Sequence, residues 1–233
     1  MTQGANGVVV NNGGDVTYTP DNGFSGPDSF TYTATDGADG SNVATVTVTT
    51  NAASVEYRVL AESDDAEERI NGSVSLGSSD LELVFDGGGN QTVGMRFNGV
   101  AIPQGTTIAS AFIQFQVDEV NSVDTSLTIE GEDSDNAPTF IASTGNISSR
   151  ARTAASVSWA PVPWTIVGEA GPDQQTPDIA PIIQEIVNRP GWSSGNSLVI
   201  IVSGIGERVA ESYNGDMNGA PLLHVEFVPE TAS

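Results

Sequence analysis

The sequence contains no cysteine and no lysine, a single histidine and seven arginines. Without cysteine there are no disulfides, no thiol nucleophile and no thiolate metal site. Basic residues this scarce exclude a nucleic-acid partner, because binding a phosphate backbone needs stripes of Lys and Arg. Aromatic residues make up only 6% of the chain, so few rings are left for a flat sugar-stacking platform once a core is filled. No apolar run approaches the roughly 18 residues of a membrane span, which argues against membrane insertion. The start, Met1-Thr2-Gln3-Gly4, lacks the charged and apolar regions of a signal peptide and reads as an excised or mature fragment with an initiator Met added.

What is present is acid. Thirty Asp and Glu against seven basic residues give a formal charge of −23 on 233 residues. Such charge keeps a chain soluble but repels itself, and clustered carboxylates are most readily tolerated where Ca²⁺ neutralises them. Combined with threonine-rich alternating segments, the composition predicts an all-β, extracellular protein, secreted or displayed on a cell surface, that handles divalent cations.

Residues 1–51 read as short strands separated by turns. Val16 and Tyr18 alternate with polar neighbours, as do Phe30, Tyr32 and Ala34, and then Ala44, Val46 and Val48. This is the period of a half-buried strand. Asn12-Gly13-Gly14, Asp21-Asn22-Gly23 and Asp36-Gly37-Ala38-Asp39-Gly40 supply the turns. The string Val16-Thr17-Tyr18-Thr19-Pro20, Gly23-Phe24-Ser25-Gly26, Asp28-Ser29-Phe30-Thr31-Tyr32-Thr33, Asp36-Gly37 resembles the cadherin-like, Ig-like repeats of large bacterial surface adhesins. The resemblance covers the C-terminal half of such a repeat and implies a partial Ig-like β-sandwich. Half a sandwich leaves open strand edges, and Val8-Val9-Val10 is the segment that a second copy would pair with.

Asn51-Ala52-Ala53-Ser54 reads as a linker, and residues 52–229 as a second domain followed by a tail at 230–233. Longer alternating strands appear at Val55 to Val59, Leu81 to Phe85, Val93 to Phe97, Ala111 to Val117, Leu127 to Ile129 and Leu223 to Phe227, with a fully apolar run at 197–202. Their spacing predicts a two-sheet antiparallel sandwich. Ile179, Ile182, Ile183 and Ile186 form one helical stripe. Asp178 is the expected N-cap, Pro181 falls in the first turn and Arg189-Pro190-Gly191 is the stop.

Val93-Gly94-Met95-Arg96-Phe97, Ile102-Pro103-Gln104-Gly105-Thr106-Thr107-Ile108 and Ser110-Ala111-Phe112-Ile113-Gln114-Phe115 resemble the core of DNRLRE-type jelly rolls. The helix, Trp192, Gly195-Asn196-Ser197-Leu198-Val199-Ile200 and Ala220-Pro221-Leu222-Leu223 are similar to that family's later signature. The resemblance implies an antiparallel jelly-roll β-sandwich with one short helix, a calcium-supported rim and a glycan-binding surface.

Asn214-Gly215-Asp216-Met217-Asn218-Gly219 places Asn214, Asp216 and Asn218 at alternate positions before a glycine, a spacing that aims oxygen ligands at one Ca²⁺. An EF-hand would add a later carboxylate, but Val225 stands at that position, so further ligands must come from elsewhere. Asp64, Asp65, Glu67 and Glu68, just after the domain's first strand, are the expected donors, because first and last strands of a jelly roll often lie side by side. The alternative is a solvated acidic turn and an ordinary Asn-Gly turn. The clusters 130–135 and Asp36 with Asp39 read as surface charge.

For a glycan, Trp164 in a proline-rich stretch is the ring expected at the surface, with Tyr213 beside the Asn-Gly-Asp loop. Trp159 and Trp192 read as core. Arg150 and Arg152 would either meet anionic sugars or neutralise nearby carboxylates. His224 alternates with Leu223 and Val225 and reads as a solvent-facing strand residue, not a general base. Neither a nucleophile elbow nor a zinc motif occurs. The residues therefore predict a non-catalytic, calcium-stabilised adhesion or binding module whose partner is a glycan or another surface component. The alternatives are a filament subunit that self-associates by strand complementation and an accessory fragment of a secreted hydrolase.

Overall fold

The computed structural model describes residues 1–21, 24–34, 40 and 42–228. The Asn22-Gly23 turn, Asp36, Asp39 and the tail at 230–233 lie outside the described residues. The chain is mostly β-strand, in several antiparallel sheets, with one α-helix.

In the N-terminal part β1 (Gly7–Asn11) pairs with β2 (Val16–Pro20), and β3 (Gly26–Tyr32) with β4 (Ala44–Thr50). The period-two alternation turns Val9 and Phe30 inward, where both are buried, and the Tyr18 ring stacks on Phe30 with centroids 6.4 Å apart. Asp28, also buried, accepts the amides of Ala5 (3.0 Å) and Asn6 (2.9 Å) and the Tyr18 hydroxyl (2.8 Å). The Asn6 amide most of all, then the Tyr18 hydroxyl and the Ser29 and Ala5 amides, pull its carboxyl down to about 2 against the effect of burial.

These contacts change the reading of the strand edges. The Gln3 carboxamide accepts the Val9 amide at 2.7 Å and donates to the Val9 carbonyl at 3.1 Å, which covers the edge of β1 away from β2. Thr2 donates its amide to the Thr31 carbonyl (2.8 Å) and accepts the Thr31 amide on its hydroxyl (2.8 Å), beside β3. Val8-Val9-Val10 thus pairs with β2 on one side and has the Val9 amide and carbonyl taken up by Gln3 on the other.

Two residues, Asn51 and Ala52, separate β4 from β5 (Ala53–Arg58), so Ala53 and Ser54 of the expected linker lie in a strand. The elements that follow are β6 (Asp65–Arg69), β7 (Val74–Ser75), β8 (Asp80–Glu82), β9 (Phe85–Asp86), β10 (Gly89–Val100), β11 (Thr107–Gln114), β12 (Val117–Glu119), β13 (Ser126–Glu132), β14 (Arg152–Trp159), α1 (Ala180–Val187), β15 (Asn196–Ile205), β16 (Val209–Glu211) and β17 (Leu222–Val228). The large sheet runs β14-β13-β15-β10-β6-β7, with β9 paired to β10. Facing it are β11-β17-β5 and, at the margin, the short sheet β12-β16-β8. As expected, the module's first and last strands lie side by side, β5 on β17.

Val93, Met95 and Phe97 from β10, Ile129 from β13, Ile113 from β11 and Leu223 and Val225 from β17 fill the core between the sheets. The apolar run of β15 is buried on both faces. Leu198, Ile200 and Val202 enter that core, whereas Val199 and Ile201 join a second cluster under Ala137, Phe140 and Ile147. The excursion from 136 to 151 therefore roofs the outer face of the large sheet.

The helix starts later than the sequence suggests. Its N-cap is Ile179, and the Asp178 carboxylate instead accepts the amides of Ala180 (3.0 Å) and of Ala111 on β11 (2.9 Å). Pro181 sits in the first turn, as expected. Ile182 and Ile186 come down on Gly131 of β13, where a Cβ would stand 2.8 Å from a methyl group of each. Gly131→Ala is expected to lower stability by about 1–3 kcal/mol through overpacking. Thermal denaturation followed by circular dichroism checks it, and an unchanged midpoint would show that the helix can retreat without cost.

Candidate metal centre

The acidic stretch after β5 is not a solvated loop. Asp64 ends a short 3-10 turn, and Asp65, Glu67 and Glu68 lie within β6, a buried strand of the large sheet. All four carboxylates are buried, and each has its own partners. Asp64 pairs with Arg96 at 2.7 Å and also accepts from the Asn98 amide. Glu68, on the opposite face of the strand from Asp65 and Glu67, accepts the amides of Ile147 (2.6 Å) and Ser148 (2.9 Å) and the Ser148 hydroxyl. Both are spent on fixing the 136–151 roof and are unavailable as ligands.

Asp65 and Glu67 face the other way. Asp65 accepts the Tyr213 amide at 2.7 Å, and burial above all pushes its carboxyl up to about 7. Glu67 accepts the Glu82 amide (2.8 Å) and the Gln91 side-chain amide (2.9 Å). Burial, then its hydrogen bond and charge contact with Glu82, hold its carboxyl well above the ordinary range. The two acidic segments named from the sequence do approach each other, through Asp65 with Tyr213 and through Glu62 and Asn214, which both border Gly77.

The tightest carboxylate cluster is beside them, at residues the sequence did not single out. β16 lies between β12 and β8, and Asp80 is the direct cross-strand partner of Glu211. Like charges placed opposite one another in a sheet repel. Asp80, Asp118 and Glu119 offer oxygens within 4.8 Å of one another. Glu211 shares a hydrogen bond with Asp118, and burial first, then Asp118, Asp216 and Asp80, push it up to about 7.

Asp216 reaches this cluster from the Asn-Gly-Asp loop. Buried Ser212 anchors the loop by donating to the Ser78 carbonyl (2.7 Å) and accepting the amides of Asn214 and Gly215 (3.2 Å each). Gly215 packs so closely that a Cβ would stand 2.0 Å from the Ser79 carbonyl, and Gly219 sits against Glu211 and Gln116. Asp216 accepts the Asn218 amide at 2.9 Å, and the Asn214 and Asn218 side chains are exposed.

Asp80, Asp118, Glu119, Glu211 and Asp216 make no ion pair among the described residues. The seven arginines are committed elsewhere: Arg58 to the Ala220 carbonyl, Arg69 to Asp86, Arg96 to Asp64, Arg150 to Glu132, Arg152 to Glu130, Arg189 to Asp133 and Asp135, and Arg208 to backbone carbonyls. Asp80, Asp118 and Glu119, with Glu211 hydrogen-bonded to Asp118, offer only oxygen donors, which fit a hard dication and no thiophilic or imidazole-seeking metal.

The residues proposed for a glycan are placed differently from expectation. Trp164 is fully buried, its indole nitrogen donating to the Asp173 carbonyl at 3.2 Å and its ring packed against Phe115 and Trp159. It is core and offers no platform. Trp159 is also core, and Trp192 is buried with its nitrogen on the Ile102 carbonyl at 2.9 Å. Arg150 is built in between Glu132 (2.6 Å) and the face of Phe140 (4.3 Å). Arg152 lies 3.9 Å from Glu130, and burial lowers the pKa of its guanidinium. Both follow the charge-neutralising alternative. Tyr213 is half-buried, packed on the main core. His224 stacks on Phe112 at 4.8 Å between Glu56 and Glu226 on the outer face of β17.

The sheets and this margin define an all-β antiparallel sandwich protein with an acid-lined rim. Residues 1–49 match the family described as the bacterial Ig domain, a kind of module typical of surface and extracellular proteins. No curated protein matches the chain. Among the described residues no helix is long and apolar enough to cross a membrane.

Proposed function

We propose that the chain is a non-catalytic extracellular adhesion module whose sandwich, of DNRLRE-like type, is rigidified by Ca²⁺ at the β12-β16-β8 margin. The observation that carries the calcium reading is the grouping of Asp80, Asp118 and Glu119, with Glu211 bonded to Asp118 and Asp216 acting on Glu211, without a cationic partner among the described residues. Asp80, Asp118 and Glu119 hold the ion from two strands, and Glu211 and Asp216 close it from β16 and the loop behind. A dication there ties three separate chain segments and removes the repulsion between them. The match of residues 1–49 to the bacterial Ig domain supports the adhesive part of the reading. For self-association through β1, Gln3 takes up the outward amide and carbonyl of Val9, so a second copy would have to displace that side chain to pair there.

Calcium titration calorimetry at neutral pH is expected to show saturable uptake by the native chain and none by Asp118→Asn combined with Glu211→Gln. Beads coated with the chain should bind cell-wall or matrix surfaces in calcium and detach in chelator. Absence of calcium heat would refute the metal centre, and adhesion no better than that of uncoated beads would refute the module.

A further inference from the structure

At the end of the sandwich where β13 starts and β14 and β15 stop, separate segments are tied into one apolar surface. The chain from β12 onward pairs antiparallel with the proline-rich stretch. Val117 exchanges backbone hydrogen bonds with Gly168 (2.8 Å) and Glu169 (2.9 Å), and Asn121 exchanges them with Trp164 (2.9 and 3.0 Å). Arg208 gathers the carbonyls of Val123, Pro161 and Val162 from beneath. Gly206 closes the group, so near that a Cβ there would stand 2.5 Å from the Asp124 carbonyl. Val117 and Trp164 are buried in the core, whereas Val120, Val123, Val162, Ile166, Val167 and Ile205 are each between 48% and 62% exposed. We propose that this surface docks a protein segment whose apolar side chains are flanked by Lys or Arg, an inference that rests on reading the chain as an extracellular binding module.

Scattered apolar side chains on a surface need no explanation, but a group of large ones on segments bonded to one another does. The backbone beneath them is already hydrogen-bonded, so docking would order little of this chain and lose little of the gain from excluding water.

The charge around the patch selects the occupant. Asp124, Glu169 and Glu207 border it and form no ion pair among the described residues. Arg208, the cation below, is 1% exposed and spends its donors on carbonyls and Thr125. An apolar centre with an acidic border is complementary to an apolar segment with a basic border. A second copy would set the same acids against each other, on chains that each carry −23. An anionic bilayer meets the same repulsion.

Selection of random peptides displayed on phage against the intact chain, with depletion on a Val162→Ser, Ile166→Ser double variant, tests this. The enriched sequences should combine apolar residues with flanking Lys or Arg. A synthetic peptide of that set should bind the native chain about tenfold tighter than the serine variant, which has lost apolar area to bury. Asp124→Asn with Glu169→Gln should also weaken binding and flatten its dependence on salt. Melting temperature and calcium uptake should be unchanged in both double variants, because the replaced side chains are exposed and none is a proposed calcium ligand. The proposal is overturned if nothing is enriched over the serine variant, if the enriched sequences lack basic residues, or if the peptide binds that variant equally well. Sedimentation of the native chain with phosphatidylglycerol vesicles, or a concentration-dependent dimer, either of them abolished by the serine substitutions, would overturn it in favour of a membrane or a second copy. Bead adhesion and calcium uptake are measured apart from this selection, so the docking surface can fail while the module reading stands.

Discussion

Replacing Arg208 by alanine is expected to cost about 3–5 kcal/mol, the scale of stripping the donor from several buried carbonyls at once. Arg208 is 1% exposed yet pairs with no carboxylate. Its guanidinium donates instead to the carbonyls of Val162 (2.9 Å), Val123 (2.8 Å) and Pro161 (2.8 Å), to the Thr125 hydroxyl (2.9 Å) and to the Glu207 carbonyl. One side chain thus holds the 121–125 turn and the proline-rich 160–164 segment against the start of β16. Burial lowers its pKa, partly offset by the charges of Asp124 and Glu207. Truncation leaves several carbonyls buried without donors, each costing on the order of 1–3 kcal/mol unless water enters. For a chain of this size the melting midpoint should fall by about 2–4 °C per kcal/mol, so a drop of about 10 °C is expected. Arg208→Lys should recover little, because an ammonium lacks the planar fork that reaches three segments at once. Scanning calorimetry checks this, and a midpoint within about 2 °C of native would show that the carbonyls find water. Because β16 carries Glu211 three residues on, Arg208→Ala should also weaken calcium uptake.

Much of the fold was legible from periodicity alone. Val93, Met95 and Phe97, or Leu223, Val225 and Phe227, announce inward faces whatever they pack against, and the isoleucine stripe announces a helix. β6 was not legible. Asp65-Ala66-Glu67-Glu68-Arg69 has the composition of an exposed turn, and it becomes a strand because its acids find Tyr213, Gln91 and the Ile147 and Ser148 amides, all remote in sequence. Trp164 misled for a related reason: proline-rich surroundings suggest a surface loop, but its backbone bridges to Asn121 and its ring fills a gap beside Phe115.

The acidic margin was half visible. Asp216 stood out through alternate oxygen side chains, whereas Asp80, Asp118 and Glu211 sit in three separate three-residue strands, and only pairing brings them together. The usable signal was their position: Asp80 and Glu211 take the face opposite to buried Leu81 and Ala210, which leaves acids gathered on one side of a short sheet.

On the proposed calcium reading that gathering serves both the ion and protons, and their competition yields the second large effect. The folded state raises Asp65 from 3.8 and Glu211 from 4.5 to about 7. A carboxyl with a raised folded pKa holds more protons in the folded than in the unfolded chain between the two values, so stability falls as pH rises through that window. Asp28 works in the opposite sense, and its contribution is lost only as pH falls from 3.8 towards about 2. Calcium-free protein should therefore be most stable near pH 4–5 and lose stability up to about pH 8. Calcium requires the deprotonated carboxylates, so it should act weakly at pH 5 and strongly at pH 8. At a hundredfold excess over Kd it adds about 2.7 kcal/mol, which for this size is a rise of roughly 5–11 °C in melting midpoint. Glu211→Gln should flatten the pH dependence and shrink the calcium shift together, because the same oxygens serve both. Calorimetric scans at the two pH values, in calcium and in chelator, separate these terms. Equal calcium shifts at both pH values would show that the ion binds elsewhere, and a chelated protein more stable at pH 8 than at pH 5 would show that the rim carboxylates are not held protonated by their neighbours.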